Sequence, residues 1–222
     1  MISGLKPIPE PALRRLPVYL QLLKSLQERN INEVSTTVFA DTLNLDPTQV
    51  RKDIAYTGMI GKPKVGYDVN ELIDTIESYL NWNNLTDAFL AGTGNLGSAI
   101  LGYDALKKYG INIVAAFDND PAKIETKIQG IEVLPIRKLT NLAERMHIKV
   151  GILTVPAQAA QEVAAHMVDG GIIAIWNFAP VSLSVPKDII VENAGFSTSL
   201  AVLSRKLTEK ITHSNRSGEK IL

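Results

Sequence analysis

Cysteine is absent from the 222-residue chain, which excludes disulfides, thiolate metal sites and thiol switches. Any response to oxidation state must then come through a bound cofactor. Histidine is scarce, with three in the whole chain. His147 precedes an expected strand, His166 lies inside an expected helix and His213 stands in the tail, so none is placed for proton transfer. Net charge is missing too: 23 basic side chains cancel 23 acidic ones, leaving no global field toward nucleic acid or membrane. No apolar run approaches membrane-spanning length, and residues 1–11 lack the charged-then-apolar layout of a secretion signal. The expectation is a soluble, cytoplasmic protein with no membrane association. No Gly-Lys-Ser/Thr follows a glycine loop, which removes phosphate-loop hydrolysis, and no His-x-x-x-His or cysteine pair points to a metal.

What is present centres on Asp87–Gly97. Phe89–Ala91 reads as a short buried strand. Gly92, Gly94 and Gly97 follow in G-x-G-x-x-G spacing, with Thr93, Asn95 and Leu96 between them, and a helical apolar pattern runs over 95–108. Gly92 permits a tight strand-to-helix turn, Gly94 lets backbone amides approach a pyrophosphate, and Gly97 lets the helix sit close on the strand. A second expected strand, Ile111–Phe117, ends in Asp118, about twenty residues beyond Gly97. A carboxylate there accepts from ribose hydroxyls and repels a 2′-phosphate, favouring NAD over NADP. The bland alternative is a glycine turn that binds nothing.

From Leu85 onward strands and helices alternate. Strands are expected at Ala88–Ala91, Ile111–Phe117, Ile131–Leu134, Val150–Val155 and Ile172–Trp176, with helices over 95–108, 135–145 and 157–169. This predicts a parallel, doubly wound sheet with ligand binding beyond the strand C-termini. Thr154-Val155-Pro156 and Asn177-Phe178-Ala179-Pro180 end two strands on the same edge as the glycine turn. They either line a nicotinamide pocket or merely terminate strands. The last apolar pattern (Leu200, Val202, Leu203, Leu207, Ile211) predicts an amphipathic helix that packs on its own domain or exchanges with a partner subunit.

The first third of the chain reads differently. Leu13, Leu16, Tyr19, Leu20, Leu23 and Leu26 recur at helical spacing, and Pro17 predicts a break among them. Arg14, Arg15, Lys24 and Arg29 fall on the exposed side. Ser35 caps a helix over 36–43, Asp46 and Pro47 open another over 47–57, and Gly58 stands where a left-handed residue ends it. Two short helices joined by a tight turn describe a helix-turn-helix. Ile60–Val69 predicts a glycine-bounded basic hairpin, a wing, with Lys62 and Lys64 toward phosphate and Tyr67 packing or touching the backbone. Between Thr48 and Lys64, Arg51, Lys52, Lys62 and Lys64 face one acid, Asp53, a local excess that the neutral total conceals. A solvated surface would carry charge in the same way. A helix over 70–80 closes this domain and 81–84 links it to the next.

A DNA-reading module joined to an NAD-type domain resembles the Rex family of redox-sensing transcriptional repressors. The resemblance is carried in order by Arg14-Arg15-Leu16-Pro17-Val18-Tyr19-Leu20, Val50-Arg51-Lys52-Asp53-Ile54-Ala55-Tyr56, Val65-Gly66-Tyr67 and the glycine turn. Phe117-Asp118-Asn119-Asp120-Pro121, Asn177-Phe178-Ala179-Pro180 and the helix from Phe196 complete it. It implies an α/β chain in three parts. These are a winged-helix domain over 1–84, a Rossmann-type NADH/NAD⁺ domain over 85–194, and a dimerisation helix and tail over 195–222, with that helix swapped between subunits. It implies a homodimer, not an enzyme, that binds pseudo-palindromic double-stranded operator DNA and is released when NADH replaces NAD⁺. Tyr103 and Phe196 are then expected beside the nicotinamide. Ser35, Thr37, Thr48, Lys52 and Lys62 are expected on phosphates and Gln49, Arg51 and Tyr56 on bases or sugars, with Arg15, Lys64 and Tyr67 at the same surface.

The chain departs from the family pattern in three places. Gly195 replaces the acid before Phe196, with which the arginine matching Arg15 pairs across subunits. Pro63-Lys64 replaces an arginine-glycine in the wing, and Thr57 replaces an aromatic. Two alternatives remain from the residues alone: a small NAD-dependent oxidoreductase with an N-terminal helical domain, and a CoA-type nucleotide domain.

Overall fold

The computed structural model describes residues 7–217, and within them all side chains except those of Phe196, Thr198 and residues 213–217. The chain divides into two compact units, one running to Leu85 and including Lys108–Gly110, the other taking Thr86–Lys107 and everything from Ile111. Among the described residues no helix is long and apolar enough to cross a membrane.

The first unit comprises α1 (Glu10–Glu28), β1 (Glu33–Val34), α2 (Thr36–Leu43), α3 (Pro47–Tyr56), β2 (Tyr67–Asp68) and α4 (Val69–Tyr79). Leu16, Tyr19 and Leu23 of α1 enter one apolar core with Phe39, Ile54 and Leu72. Each such burial contributes about 1.5–3 kcal/mol. Leu13, expected inward, is 38% exposed, and Ala12 takes the buried place.

The expected break at Pro17 does not occur, because α1 is continuous through it. Pro17 lies on the solvent face of α1, where the one helical hydrogen bond it removes costs least because water can take its place. One buried carboxylate bridges the spot. Asp53 of α3 accepts from Arg15 at 2.7 and 2.9 Å and from the Tyr19 hydroxyl at 2.6 Å, one residue on either side of the proline's turn. Desolvation and the bond to Asp53 raise the Tyr19 hydroxyl's pKa, and the same carboxylate raises that of Arg15.

The caps stand where the spacing predicts them. The Ser35 side chain accepts from the Val38 amide, and Asp46 accepts from Thr48 and Gln49 at 2.8 and 2.9 Å. Gly58 takes φ +89°. The wing is shorter than expected: a Lys62–Gly66 bridge closes a tight turn, and β2 then pairs with β1, a strand the sequence did not announce. Gly66 (φ +105°) passes so close to Val34 that a Cβ there would lie 2.3 Å from its carbonyl oxygen.

The second unit contains β3 (Thr86–Ala91), α5 (Asn95–Leu101), β4 (Ile111–Asp118), β5 (Lys127–Ile128), β6 (Ile131–Pro135), α6 (Leu139–Arg145), β7 (Val150–Leu153), α7 (Ala157–Asp169), β8 (Ala174–Asn177), β9 (Ile190–Asn193) and α8 (Phe196–Ser217). The sheet order is β5-β6-β4-β3-β7-β8-β9, antiparallel only at β5. The chain winds outward from β3 to β6, then restarts at β7 on the other side of β3. That switch point opens a crevice at the strand C-termini.

Several boundaries move for identifiable reasons. The helix expected over 95–108 stops at Leu101, with Gly102 capping it and a 3₁₀ segment, Asp104–Tyr109, following. Ile172 lies outside β8 because it ends α7: Gly171 (φ +83°) bonds back to Val168, and the Ile172 amide to Met167. That 6→1 and 5→2 pair, with Ile172 and Met167 both buried, is a Schellman motif. β5 and β9, two and four residues long, are too short to signal themselves by alternation.

Candidate functional site

Three glycines of the turn after β3 meet three different demands. Gly92 sits at φ +97°, a conformation in which a side chain is strained. At Gly97 a Cβ would fall 1.9 Å from the Gly92 carbonyl oxygen, so helix and turn touch backbone to backbone. Gly94 is different: its φ is −69°, and a Cβ would meet nothing within 4 Å. Nothing in the folded chain requires glycine there, whereas a molecule approaching the exposed first-turn amides would. Those amides have no partner within the helix. Thr154 braces the turn, its Oγ1 donating to the Gly92 carbonyl at 2.7 Å.

The turn forms one end of a cleft of about 710 Å³ lined by Gly92, Gly94, Asp118, Thr154, Val155 and Pro156 among others. Asp118 is buried at its floor. One oxygen accepts from the Thr93 amide and hydroxyl at 2.8 and 2.6 Å, the other from the amides of Asn119 and Asp120 at 2.8 and 3.0 Å. Lys123 Nζ stands 3.4 Å away. Burial opposes ionisation, but the Thr93 hydroxyl, the amides of Asp120 and Thr93 and Lys123 outweigh it and bring the carboxyl down to about 2. Asp118 therefore ties the glycine turn to the end of β4, besides presenting negative charge to the cleft.

Other expected residues are not part of this cleft within one chain. Tyr103 is 54% exposed and lines a separate hollow of about 190 Å³ with Ile100, Asp104 and Gln129. The buried Asn177 side chain donates to Val181 and Asn193 and accepts from Ala179, tying β8 to the following loop and to β9. Phe178 packs against Trp176 with centroids 4.6 Å apart and the rings tilted by 55°, Ala179 is buried and Pro180 exposed. The Phe196 side chain lies outside the described ones. The cleft instead includes Asn119, Asp120, Lys123 and Ile136, and from α7 Ala159, Glu162, Val163 and His166. The first two were legible as neighbours of Asp118. The α7 set shows only as a three-and-four spacing on one helix face.

In the other unit, α3 carries polar groups on two flanks. On one, Ser35, Arg51, Lys62, Lys64 and Tyr67 line a groove of about 500 Å³ between helix and wing. On the other, Arg15, Thr48, Gln49, Lys52 and Tyr56 line one of about 340 Å³. Arg51, Lys52, Lys62 and Lys64 are exposed, and so is Thr37 on α2. Tyr67 is a core residue at 6% exposure, and burial raises its pKa against the pull of Arg51. Arg15 finds its acid within its own chain, in Asp53. With its amide oxygen turned toward Arg15, Gln49 accepts from that guanidinium at 3.1 and 3.2 Å. Since Asp53 is neutralised by Arg15, the four exposed cations are uncompensated by it.

Comparison with known proteins places these features. A family model described as a putative DNA-binding protein N-terminus matches residues 7–55, and one described as a CoA binding domain matches residues 83–181. The redox-sensing transcriptional repressor Rex of Bacteroides thetaiotaomicron is 42% identical, over 90% of this chain and 91% of its own length. That of Treponema denticola is also 42% identical, over 90% of this chain and 95% of its own. The chain belongs to the Rex family. Among solved structures, the Rex-family repressor RSP in complex with β-NAD⁺ and operator DNA matches with TM-score 0.87 at 32% identity, covering 97% of this chain and all of that one. RSP in complex with β-NADH matches with TM-score 0.85, also at 32% identity, over 95% and 99%. The relatives are repressors along their full length, so the oxidoreductase alternative drops away.

Proposed function

We propose that this chain is a cytoplasmic redox-sensing repressor that grips pseudo-palindromic operator DNA as a homodimer and lets go when NADH replaces NAD⁺ in the cleft. One observation carries the proposal: a glycine-turn cleft and a basic-flanked α3 share one chain that aligns end to end with repressors solved with β-NAD⁺ and operator DNA and with β-NADH. The division of labour is 1–84 for DNA, 85–194 for the dinucleotide and 195–222 for dimerisation.

The fit of the dinucleotide rests on Gly94, whose missing side chain leaves the amides of the turn open. Gly92 through Gly97, including Thr93, Asn95 and Leu96, would hold the pyrophosphate, Asp118 the ribose end, and Thr154, Val155 and Pro156 the cleft wall. Tyr103, Asn177, Phe178, Ala179, Pro180 and Phe196 are assigned to the nicotinamide end, completed only when two subunits meet. The bound dinucleotide supplies the redox signal, because its nicotinamide is cationic when oxidised and neutral when reduced. The chain's own part is to favour one dimer geometry over another. Moving from mostly one state to mostly the other takes about 5.5 kcal/mol of differential affinity.

On the DNA side, α3 enters the major groove, and the two copies of a dimer read successive half-sites. Ser35, Thr37, Thr48, Lys52, Lys62 and Lys64 are assigned to phosphates, and Gln49, Arg51 and Tyr56 to bases or sugars. Arg15 and Tyr67 stand behind them and orient α3 and the wing. Gel shifts of the operator, titrated in parallel with NADH and NAD⁺, test the coupling. NADH is expected to release DNA at concentrations where NAD⁺ does not, and coincident release curves reject the redox role.

A further inference from the structure

Ala159, Glu162, Val163 and His166 fall on one face of α7, and that face is a wall of the dinucleotide cleft. His166 stands about 15 Å along the helix from Pro156, which adjoins the glycine turn. The far end of the cleft is therefore lined by the later part of α7. Val163 is apolar and largely buried there, and Ala159 and Ile136 add further apolar surface to the lining. Two polar side chains stand at its rim. Glu162 Oε1 and His166 Nε2 are 4.0 Å apart, too far for a good hydrogen bond, so each keeps its capacity for a third group.

An apolar wall with an acceptor beside a donor at its rim suits a planar heterocycle carrying an amine next to a ring nitrogen. A carboxylate only accepts, whereas an imidazole N–H donates. We propose that Glu162 and His166 read the purine edge of the dinucleotide, Glu162 accepting from a 6-amino group and His166 donating to a neighbouring ring nitrogen. The inference rests on the cleft being a dinucleotide site. It adds that the site selects a 6-amino purine over a 6-oxo one, because a 6-oxo group sets an acceptor against the Glu162 carboxylate.

The test titrates the full-length protein with NADH and with reduced nicotinamide hypoxanthine dinucleotide, its 6-oxo counterpart, following nicotinamide fluorescence. The unmodified chain is expected to prefer NADH by about five- to tenfold, the scale of one hydrogen bond. Glu162→Gln, whose amide both accepts and donates, should bring that ratio to within twofold of unity. His166→Leu should weaken NADH binding several-fold. A helix-surface change that merely disturbed α7 would weaken both dinucleotides alike and leave their ratio standing. Equal affinities in the unmodified chain, or a ratio unchanged by Glu162→Gln, overturn the inference while leaving the dinucleotide site intact. Binding of neither dinucleotide would instead overturn the site itself, and the inference with it.

Discussion

Asp118 carries two roles on the same pair of oxygens. It gives the cleft a negative floor, and through Thr93 it fastens the glycine turn to the end of β4. Its carboxyl is held at about 2, against about 3.9 in an unfolded chain. A depressed acid contributes stability that is fully present above the unfolded value and lost as pH falls through the folded one. Asp118→Asn should therefore cost about 2 kcal/mol of unfolding free energy near neutrality. The two proteins should converge between about pH 4 and pH 2. Denaturant titrations at a series of pH values check this, and a constant gap down to pH 2 would show that Asp118 is not the group responsible. Asp53 presents the same lesson in the other unit. Its position among cations invited a surface role, yet it is buried and holds Arg15 and Tyr19 on either side of a proline. No local pattern distinguishes a solvated Asp from one that closes a network, because the difference lies in partners 34 and 38 residues away.

At the scale of elements, the strand–turn–helix around Gly92 separates structure from function glycine by glycine. Gly97→Ala sets a methyl against the Gly92 carbonyl, and the turn must open; a loss of about 3 kcal/mol is expected, read as a lower Tm. Gly94→Ala has room and an ordinary φ, so stability should stay within about 0.5 kcal/mol. NADH affinity should nevertheless fall at least tenfold, since the methyl would stand where the pyrophosphate approaches. Unchanged affinity in Gly94→Ala would mean that no ligand uses that face. This element was legible from the spacing because its demands are local: φ at one residue, contact distance at another. The end of α7 was equally local in kind, yet Ile172 reads as a strand residue until its amide is seen to close the Schellman motif. The wing reads as a hairpin, but the partner of its strand does not, for the opposite reason. Its strand pairs with Glu33–Val34, more than thirty residues earlier, and a two-residue strand leaves no alternation to detect.

At the scale of the whole molecule, α8 presents an apolar face that stays exposed among the described residues. Leu200, Leu203, Leu207 and Ile211 form an apolar stripe along it, 58%, 63%, 56% and 42% exposed. Such a stripe is unfavourable in water unless something packs on it, and in the proposed homodimer the partner subunit does. Leu203→Glu combined with Leu207→Glu should convert a dimer into a monomer in sedimentation experiments. Operator affinity should drop about a hundredfold or more, because the second half-site is no longer tethered to the first. A double variant that remains dimeric would place the interface elsewhere. Gly195, immediately before this helix, leaves the junction without an acid, and Arg15 pairs instead with Asp53 of its own chain.

The amino-acid sequence alone determined that two modules follow one another, where α2 and α3 are capped, and which three glycines shape the nucleotide turn. These are matters of backbone conformation and of contacts three or four residues apart, which side-chain chemistry dictates directly. Only the tertiary structure decided that Asp53 belongs to α1, that Asp118 belongs to Thr93, and that Glu162 and His166 face the cleft. It also showed that Asn177 ties strands together and lies outside the cleft lining. Those assignments depend on which distant segments the folded core brings within hydrogen-bond reach. Closing such loops costs entropy that local preference cannot reveal, and packing over the whole unit repays it.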